Sequence, residues 1–297
     1  MTLVREGERE RSLPLSRPEM ETVAVVGLGL MGGSLALALR GLPVPPRVIG
    51  IEPDPERGRA ALEAGAVQEL HPTGNELLGE ADTVVYATPL TLTGGLLGLH
   101  ASYWDDRALI TDLISLKTPL VRLAEASSWG NRFVGAHPMC GGEASGFGAA
   151  RGDLYQGANV WLCAGVGASP EYRGRAEQFW ARVGGVPRWE EAEEHDRQMA
   201  WVSHLPQLLA NALAGALDAA GYSPAELGPG GRDMTRLAGS NPEIWKDLLE
   251  VSAPVTGLGL TSVSRALDTL ADLLARREVD RIAEFMERTR RWKEGGR

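Results

Sequence analysis

The chain has 297 residues, a length that favours about two domains. Its formal charge of −9 argues against the basic stripe of a nucleic-acid binder, and no run approaches the roughly 18 apolar residues of a membrane span. Two cysteines, Cys140 and Cys163, are too few for a disulfide framework and fit a reduced, cytoplasmic setting. Neither has a metal-ligand neighbour at suitable spacing, so no metal site is expected. Lysine occurs only at Lys117, Lys246 and Lys293, so a site for an acidic ligand must be built locally from arginines and backbone N–H groups. Residues 1–20 read as a flexible, proline-punctuated arm. Their charged stretch from Arg5 to Arg11 lacks the apolar h-region of a signal peptide.

Val23-Ala24-Val25-Val26 predicts a short buried strand. Gly27-Leu28-Gly29-Leu30-Met31-Gly32 follows, and Ser34 to Arg40 reads as a helix. This is G-x-G-x-x-G between a strand and a helix. Its glycines allow, in turn, a tight turn, close approach to a pyrophosphate and close helix–strand packing. The second strand, residues 47–51, ends at Glu52, twenty residues after Gly32. An acid there binds the ribose hydroxyls of an adenosine and repels a 2′-phosphate, so NAD rather than NADP is the expected cofactor. A glycine-rich turn in an unrelated α/β protein is the competing reading of the loop alone.

The βα rhythm continues with a helix over 55–64, a strand starting at Ala66-Val67, a helical turn over 75–80 and a buried strand over 83–87. That strand ends at Thr88-Pro89, where a doubly wound sheet places ligand contacts. A helix over 93–99, a strand over 108–111 ending in Asp112, the polar positions Ser115 and Lys117, and a helix over 119–126 come next. A strand over 132–134 then delivers His137. Pro138 biases His137 away from the helical region, towards a loop or strand end. Taken alone, this loop reads equally well as a capped histidine in a tight turn. The loop over 112–117 changes the weighting: both loops leave the C-terminal ends of parallel strands, where a dinucleotide binds, which makes His137 a candidate base. A strand over 159–163, an amphipathic helix over 171–183 and a return to the sheet over 186–189 complete a domain spanning 21–192.

From 193 to 297 only helical periodicity appears. Residues 194–219 read as one helix with Met199, Val202, Leu205, Leu208, Leu209, Leu213 and Leu217 towards a core. His204, Gln207 and Asn211 share one face in its most apolar part, which predicts a ligand cavity or polar junction. A satisfied core histidine is the competing reading for His204. Pro206 removes one backbone bond beside this stripe. On a straight helix His195 lies about half a turn out of phase with His204, so the two cannot face one point. Residues 228–231 read as a loop, and Arg232-Asp233-Met234-Thr235-Arg236 opens a short helix stopped by Gly239. Asn241 and Pro242 start the next helix, which carries Trp245. Arg236 can fork onto a carboxylate, and a surface pair with Asp233 is the equal local alternative. Residues 263–293 form a long amphipathic segment containing Leu267, Leu270, Leu274, Ile282 and Phe285, suited to pack the helical domain or a second subunit.

Together the motifs resemble the prephenate/arogenate dehydrogenase family of tyrosine biosynthesis, from Val23 to about Glu250. The resemblance is carried by Gly27 to Ser34, by Asp112, Ser115 and Lys117, and by His137-Pro138-Met139 with Gly141, Glu143, Ser145 and Gly146. In the second domain it rests on His195-Asp196, Ser203-His204-Leu205-Pro206, and Arg232 to Arg236 with Trp245. Order and spacing make the match specific. It implies a Rossmann-type α/β domain followed by an all-α dimerisation and substrate domain, and hence a homodimer. It also implies NAD(P)-dependent oxidative decarboxylation of a cyclohexadienol, and with NAD expected from Glu52 the reading is prephenate to 4-hydroxyphenylpyruvate, with arogenate to tyrosine as the alternative. His137 matches the catalytic histidine that accepts a hydrogen bond from the ring hydroxyl, and Ser115 the serine that orients it near the nicotinamide. Arg236 matches the arginine that binds the side-chain carboxylate. Glu143, His195, Asp196 and Trp245 match residues lining or gating the pocket, and His204 belongs to the matched Ser-His-Leu-Pro motif. Gln207 stands where some members have a second histidine that helps place the substrate, which leaves the choice between prephenate and arogenate open. Without a chorismate mutase segment or room for an ACT domain, a monofunctional enzyme is expected.

The implied chemistry suits these residue types. A histidine with a near-neutral pKa can take the hydroxyl proton as hydride leaves the same carbon and the ring carboxylate departs as carbon dioxide. The nicotinamide accepts the hydride; the protein positions the ring and holds its carboxylates. A β-hydroxyacid dehydrogenase is the nearest rival, but it needs a second-domain catalytic lysine, and Lys246 and Lys293 lack the glycine-rich context. A non-catalytic NAD-binding regulator would keep Gly27, Gly29, Gly32 and Glu52 without needing Ser115, His137 and Arg236 together.

Overall fold

Four aliphatic residues with no polar side chain among them make β1 (Thr22–Val26) stable only as a strand covered on both faces. In the computed structural model, which describes residues 20–142 and 144–295 (Glu243 and Ile244 as backbone alone), β1 is such a central strand. The expected arm, apart from Met20, and Glu143 lie outside the described residues. Parallel to β1 lie β2 (Arg47–Ile51) on one side and β4 (Thr83–Tyr86) on the other. Among the described residues eight strands form one sheet, completed by β3 (Glu69–His71), β5 (Leu109–Asp112), β6 (Phe133–Pro138), β7 (Asn159–Cys163) and β8 (Val186–Trp189). The order is β3-β2-β1-β4-β5-β6-β7-β8, parallel except between β6 and β7. The chain reverses its direction of travel between β1 and β4, the switch point where open α/β sheets bind ligands beyond the carboxyl ends of their strands. Helices α1 (Leu30–Arg40), α2 (Pro55–Glu63), α3 (Leu90–His100), α4 (Thr118–Glu125) and α5 (Pro170–Arg182) connect the strands. Leu35 and Leu39 of α1 and Phe179 and Trp180 of α5 are buried in the core, with Tyr155 tilted on Trp180 at 5.5 Å between ring centroids.

The chain divides into two compact units. The first holds the sheet; the second comprises Pro89–Leu92, Ser115–Leu120 and Glu190–Arg297. The described residues of the second unit are helices and turns throughout: α6 (Ala192–Met199), a π-helical turn (Ala200–His204), α7 (Leu205–Ala219), α8 (Pro229–Thr235), a 3-10 turn (Arg236–Gly239), α9 (Pro242–Ala275) and α10 (Val279–Lys293). Among the described residues, no helix is long and apolar enough to cross a membrane.

Several local expectations change. The third strand starts at Glu69, because Gly65 turns the chain at φ +66° and Ala66 bonds back to Ala61. His137 sits inside β6, opposite Trp161 of β7. The helix expected over 194–219 is broken by the π turn immediately before Pro206, whose missing N–H the wider turn tolerates. The extra residue per turn shifts the phase, so His195 and His204 are both buried and interact electrostatically, while Val202, expected in the core, is 56% exposed. Pro229 at the first position starts α8 where a loop was expected. The segment over 263–293 is two helices. Arg277, at φ +57°, ends α9 in a Schellman arrangement, its N–H bonding Leu274 and the Glu278 N–H bonding Leu273.

Candidate functional site

The glycine loop of the first unit has a steric logic. At Gly27, φ is +94° and an added Cβ would lie 2.8 Å from the Ala87 carbonyl oxygen; at Gly32 it would lie 1.9 Å from that of Gly27. At Gly29 it would meet nothing within 4 Å, which leaves open space where a pyrophosphate can approach the backbone. Gly29 also caps α1 without a side-chain bond, and the first turn carries no acid, so the helix N-terminus offers its N–H groups to an anion. Leu28 is buried, Leu30 and Met31 half-buried, and the Met31 carbonyl accepts the Tyr155 hydroxyl at 2.7 Å. At the end of β2, Glu52 accepts the Leu28 N–H at 2.9 Å on one oxygen and the Asp54 N–H at 3.0 Å on the other. The glycine loop and Glu52 are thus one hydrogen-bonded piece. Thr88, at the end of β4, exchanges a 2.7 Å hydroxyl bond with Thr93. These residues fit a dinucleotide.

Asp112 shows how His137 is held. Fully buried at the end of β5, its carboxylate accepts the Ala136 N–H at 3.1 Å and the Ile114 N–H at 3.0 Å. It thereby fixes β6 one residue before half-buried His137. Beyond it, Met139 bonds Asn159 and Cys140 bonds Pro138, so the histidine stands on ordered backbone.

In the second unit Asp196 organises the Ser115–Leu120 stretch. Its two oxygens accept the Lys117 N–H at 2.8 Å and the Thr118 N–H at 2.9 Å, and His195 Nδ1 donates to it at 2.8 Å. Burial pushes the Asp196 carboxyl pKa up, but the donors from His195, Lys117 and Thr118 outweigh it and hold the group below the usual carboxylate range. Asp196 therefore anchors the loop carrying Ser115, itself half-buried, and Lys117, fully buried. His204 is 1% exposed, with its ring edge-on to Trp245 at 6.1 Å. Its Nδ1 has no hydrogen-bond partner among the described residues. Burial lowers its pKa to about 4; Asp196 opposes that shift and His195 adds to it. His204 is thus neutral near pH 7.

Gln207 is tied into the protein. Its amide nitrogen donates to the Leu237 carbonyl at 2.8 Å and to Asn211 at 3.2 Å, and its oxygen accepts the Ser240 hydroxyl at 3.2 Å. These bonds hold the 3-10 turn that begins at Arg236, whose side chain is exposed. Beside it a pocket of about 240 Å³ is lined by Gln207, Asn211, Ser240, Trp245 and Lys246, among others. Pro89, in this unit, is exposed. Asn211 was expected beside Gln207 from their four-residue spacing, whereas no local signal marked Ser240 or Lys246 for this pocket or Asp112 as a brace of β6.

Comparison with known proteins follows this division. Residues 35–187 match the family described as prephenate dehydrogenase, nucleotide-binding domain, and residues 191–288 that described as prephenate dehydrogenase, dimerization domain. The chain belongs to the prephenate dehydrogenase family. The prephenate dehydrogenase of Bacillus subtilis is 31% identical over 277 residues, covering 90% of this chain and 70% of that protein. The solved prephenate dehydrogenase of A. aeolicus, in complex with hydroxyphenyl propionate and NAD+, has a TM-score of 0.86 and 27% identity, covering 95% of this chain and 99% of the other. The arogenate dehydrogenase of Synechocystis has a TM-score of 0.77 and 26% identity, covering 92% and 99%. The chain is an NAD-dependent dehydrogenase.

Proposed function

We propose that the chain oxidises prephenate to 4-hydroxyphenylpyruvate and carbon dioxide, as a homodimer in the cytoplasm. NAD, when bound, supplies the hydride acceptor. His137 takes the proton of the ring hydroxyl as the C–H bond breaks; Asp112 keeps its strand in place, and Ser115 orients the imidazole. Arg236 holds the side-chain carboxylate, with Gln207 acting through the turn that carries it. Asp196, with His195, fixes the Ser115 loop, and His204 and Trp245 wall the pocket. Glu143 keeps the lining or gating role the resemblance gives it.

The observation that carries the choice of prephenate over arogenate is the wall of the 240 Å³ pocket: its described residues include Lys246 and no carboxylate. A keto acid suits such a wall, whereas the ammonium of arogenate would face a cation without a counter-charge. The names of the Bacillus and Aquifex relatives support the same reading. The dimer is supported by α9, where Leu260, Val263, Leu267, Leu270 and Leu274 follow a/d heptad spacing although Leu267 is 58% and Leu274 64% exposed. The two free thiols accord with a reducing compartment.

The test supplies purified protein with NAD and either prephenate or arogenate and identifies the products. NADH and 4-hydroxyphenylpyruvate in equal amounts from prephenate are expected. Absence of NADH with both substrates would overturn the assignment, and turnover of arogenate alone would reverse the substrate choice.

A further inference from the structure

Glu52 does not stand alone at the cofactor site. Besides the Leu28 and Asp54 N–H groups, its carboxylate holds the guanidinium of Arg57, from the first turn of α2, at 3.1 Å. A carboxylate offers about four acceptor positions. Three are taken, which leaves one for a ribose hydroxyl. Glu52 is almost completely buried, whereas the Arg57 side chain is 39% exposed and reaches Asp54 with a second nitrogen at 3.4 Å. So the group that repels a 2′-phosphate and a group able to bind one are in direct contact, and the guanidinium is on the solvent side. Arginine matches phosphate geometry with a rigid fork of donors, and its charge does not titrate away.

We propose that Arg57 is a second determinant of cofactor choice: paired with Glu52 when NAD is used, it turns its remaining donors to a 2′-phosphate when one is present, and becomes the main 2′-phosphate ligand once the Glu52 charge is removed. The inference rests on the reading that Glu52 meets the adenosine ribose. Two opposite charges then share the discriminating position. Glu52 sets the preference for NAD, and Arg57 limits how strongly NADP is rejected. A purely structural ion pair would behave differently, since its loss would affect the two cofactors alike.

The test measures NADH and NADPH binding by fluorescence, without turnover, in the wild type, Glu52→Gln, Arg57→Gln and the double variant. Glu52→Gln is expected to weaken NADH binding severalfold and tighten NADPH binding by about tenfold or more. Adding Arg57→Gln should remove most of the NADPH gain while leaving NADH binding close to that of Glu52→Gln. Equal NADPH affinity of Glu52→Gln and the double variant would overturn the proposal. No change of either cofactor in Glu52→Gln would instead refute the ribose role of Glu52 on which it rests. Because buried Glu52 also braces Leu28, a second measurement uses Arg57→Gln alone: displacement of bound NADH by adenosine 2′,5′-bisphosphate and by adenosine 5′-monophosphate. The bisphosphate should lose about fivefold relative to the monophosphate; equal losses would refute the role of Arg57.

Discussion

The two units differ in how the groups assigned to the candidate site are partnered. In the sheet unit the acids of the candidate site are braced: Glu52 and Asp112 each accept backbone N–H groups from neighbouring segments, and the buried atoms without a partner among the described residues, Thr111 Oγ1 and Trp180 Nε1, are not among the proposed site residues. In the helical unit His204 is buried with a nitrogen that has no hydrogen-bond partner among the described residues, and a leucine stripe on α9 lies partly open to water. Under the proposed function, the polar pocket of the helical unit takes the substrate and its apolar stripe a second copy. Buried polar groups left unpaired are costly, so such features persist where function requires them.

This contrast can be broken most severely at His137. His137→Asn is expected to lower kcat about a thousandfold, with NADH binding within about twofold of wild type, because Asp112 still fixes the strand. Joint loss of turnover and NADH binding would make His137 a structural part of the sheet unit.

The next effect belongs to His204 and concerns pH. Its folded pKa of about 4 lies below the 6.5 of an ordinary histidine. Between those values the unfolded chain binds a proton that the folded chain does not, so stability falls as pH drops through that window. The loss from pH 7 to pH 5 attributable to this group is about 2 kcal/mol. Urea unfolding at the two pH values should therefore show a smaller acid loss in His204→Gln than in the wild type. Equal losses would mean that His204 is not held neutral by burial.

The smallest effect is expected at the α9 stripe. Leu267→Asp should weaken self-association at least about tenfold, read by sedimentation, while leaving NADH binding by the sheet unit unaltered. An unchanged association constant would place the contact between copies elsewhere.

What was legible in the sequence follows the reach of each interaction. The glycine loop and Glu52 could be read because their residues lie within one βαβ unit with fixed spacing. The bracing of β6 by Asp112 and of the Ser115 loop by Asp196 could not, because no motif of fixed spacing links these acids to the N–H groups they accept 24 and up to 79 positions away. The π turn was hidden for another reason: a helix read at one uniform period has no place for an extra residue, so Val202 was assigned to the core and His195 was separated from His204. Gln207 was noticed as a substituted histidine, but its hold on Leu237 and Ser240 needed the fold to bring the 3-10 turn against α7.

The division of labour itself is tested most directly at Arg236, by measuring the KM for prephenate and the dissociation constant for NADH in Arg236→Gln. The account predicts a KM raised about tenfold to a hundredfold, with NADH affinity unchanged, as loss of a carboxylate ligand should give. An unchanged KM, or an equal loss of NADH binding, would contradict it.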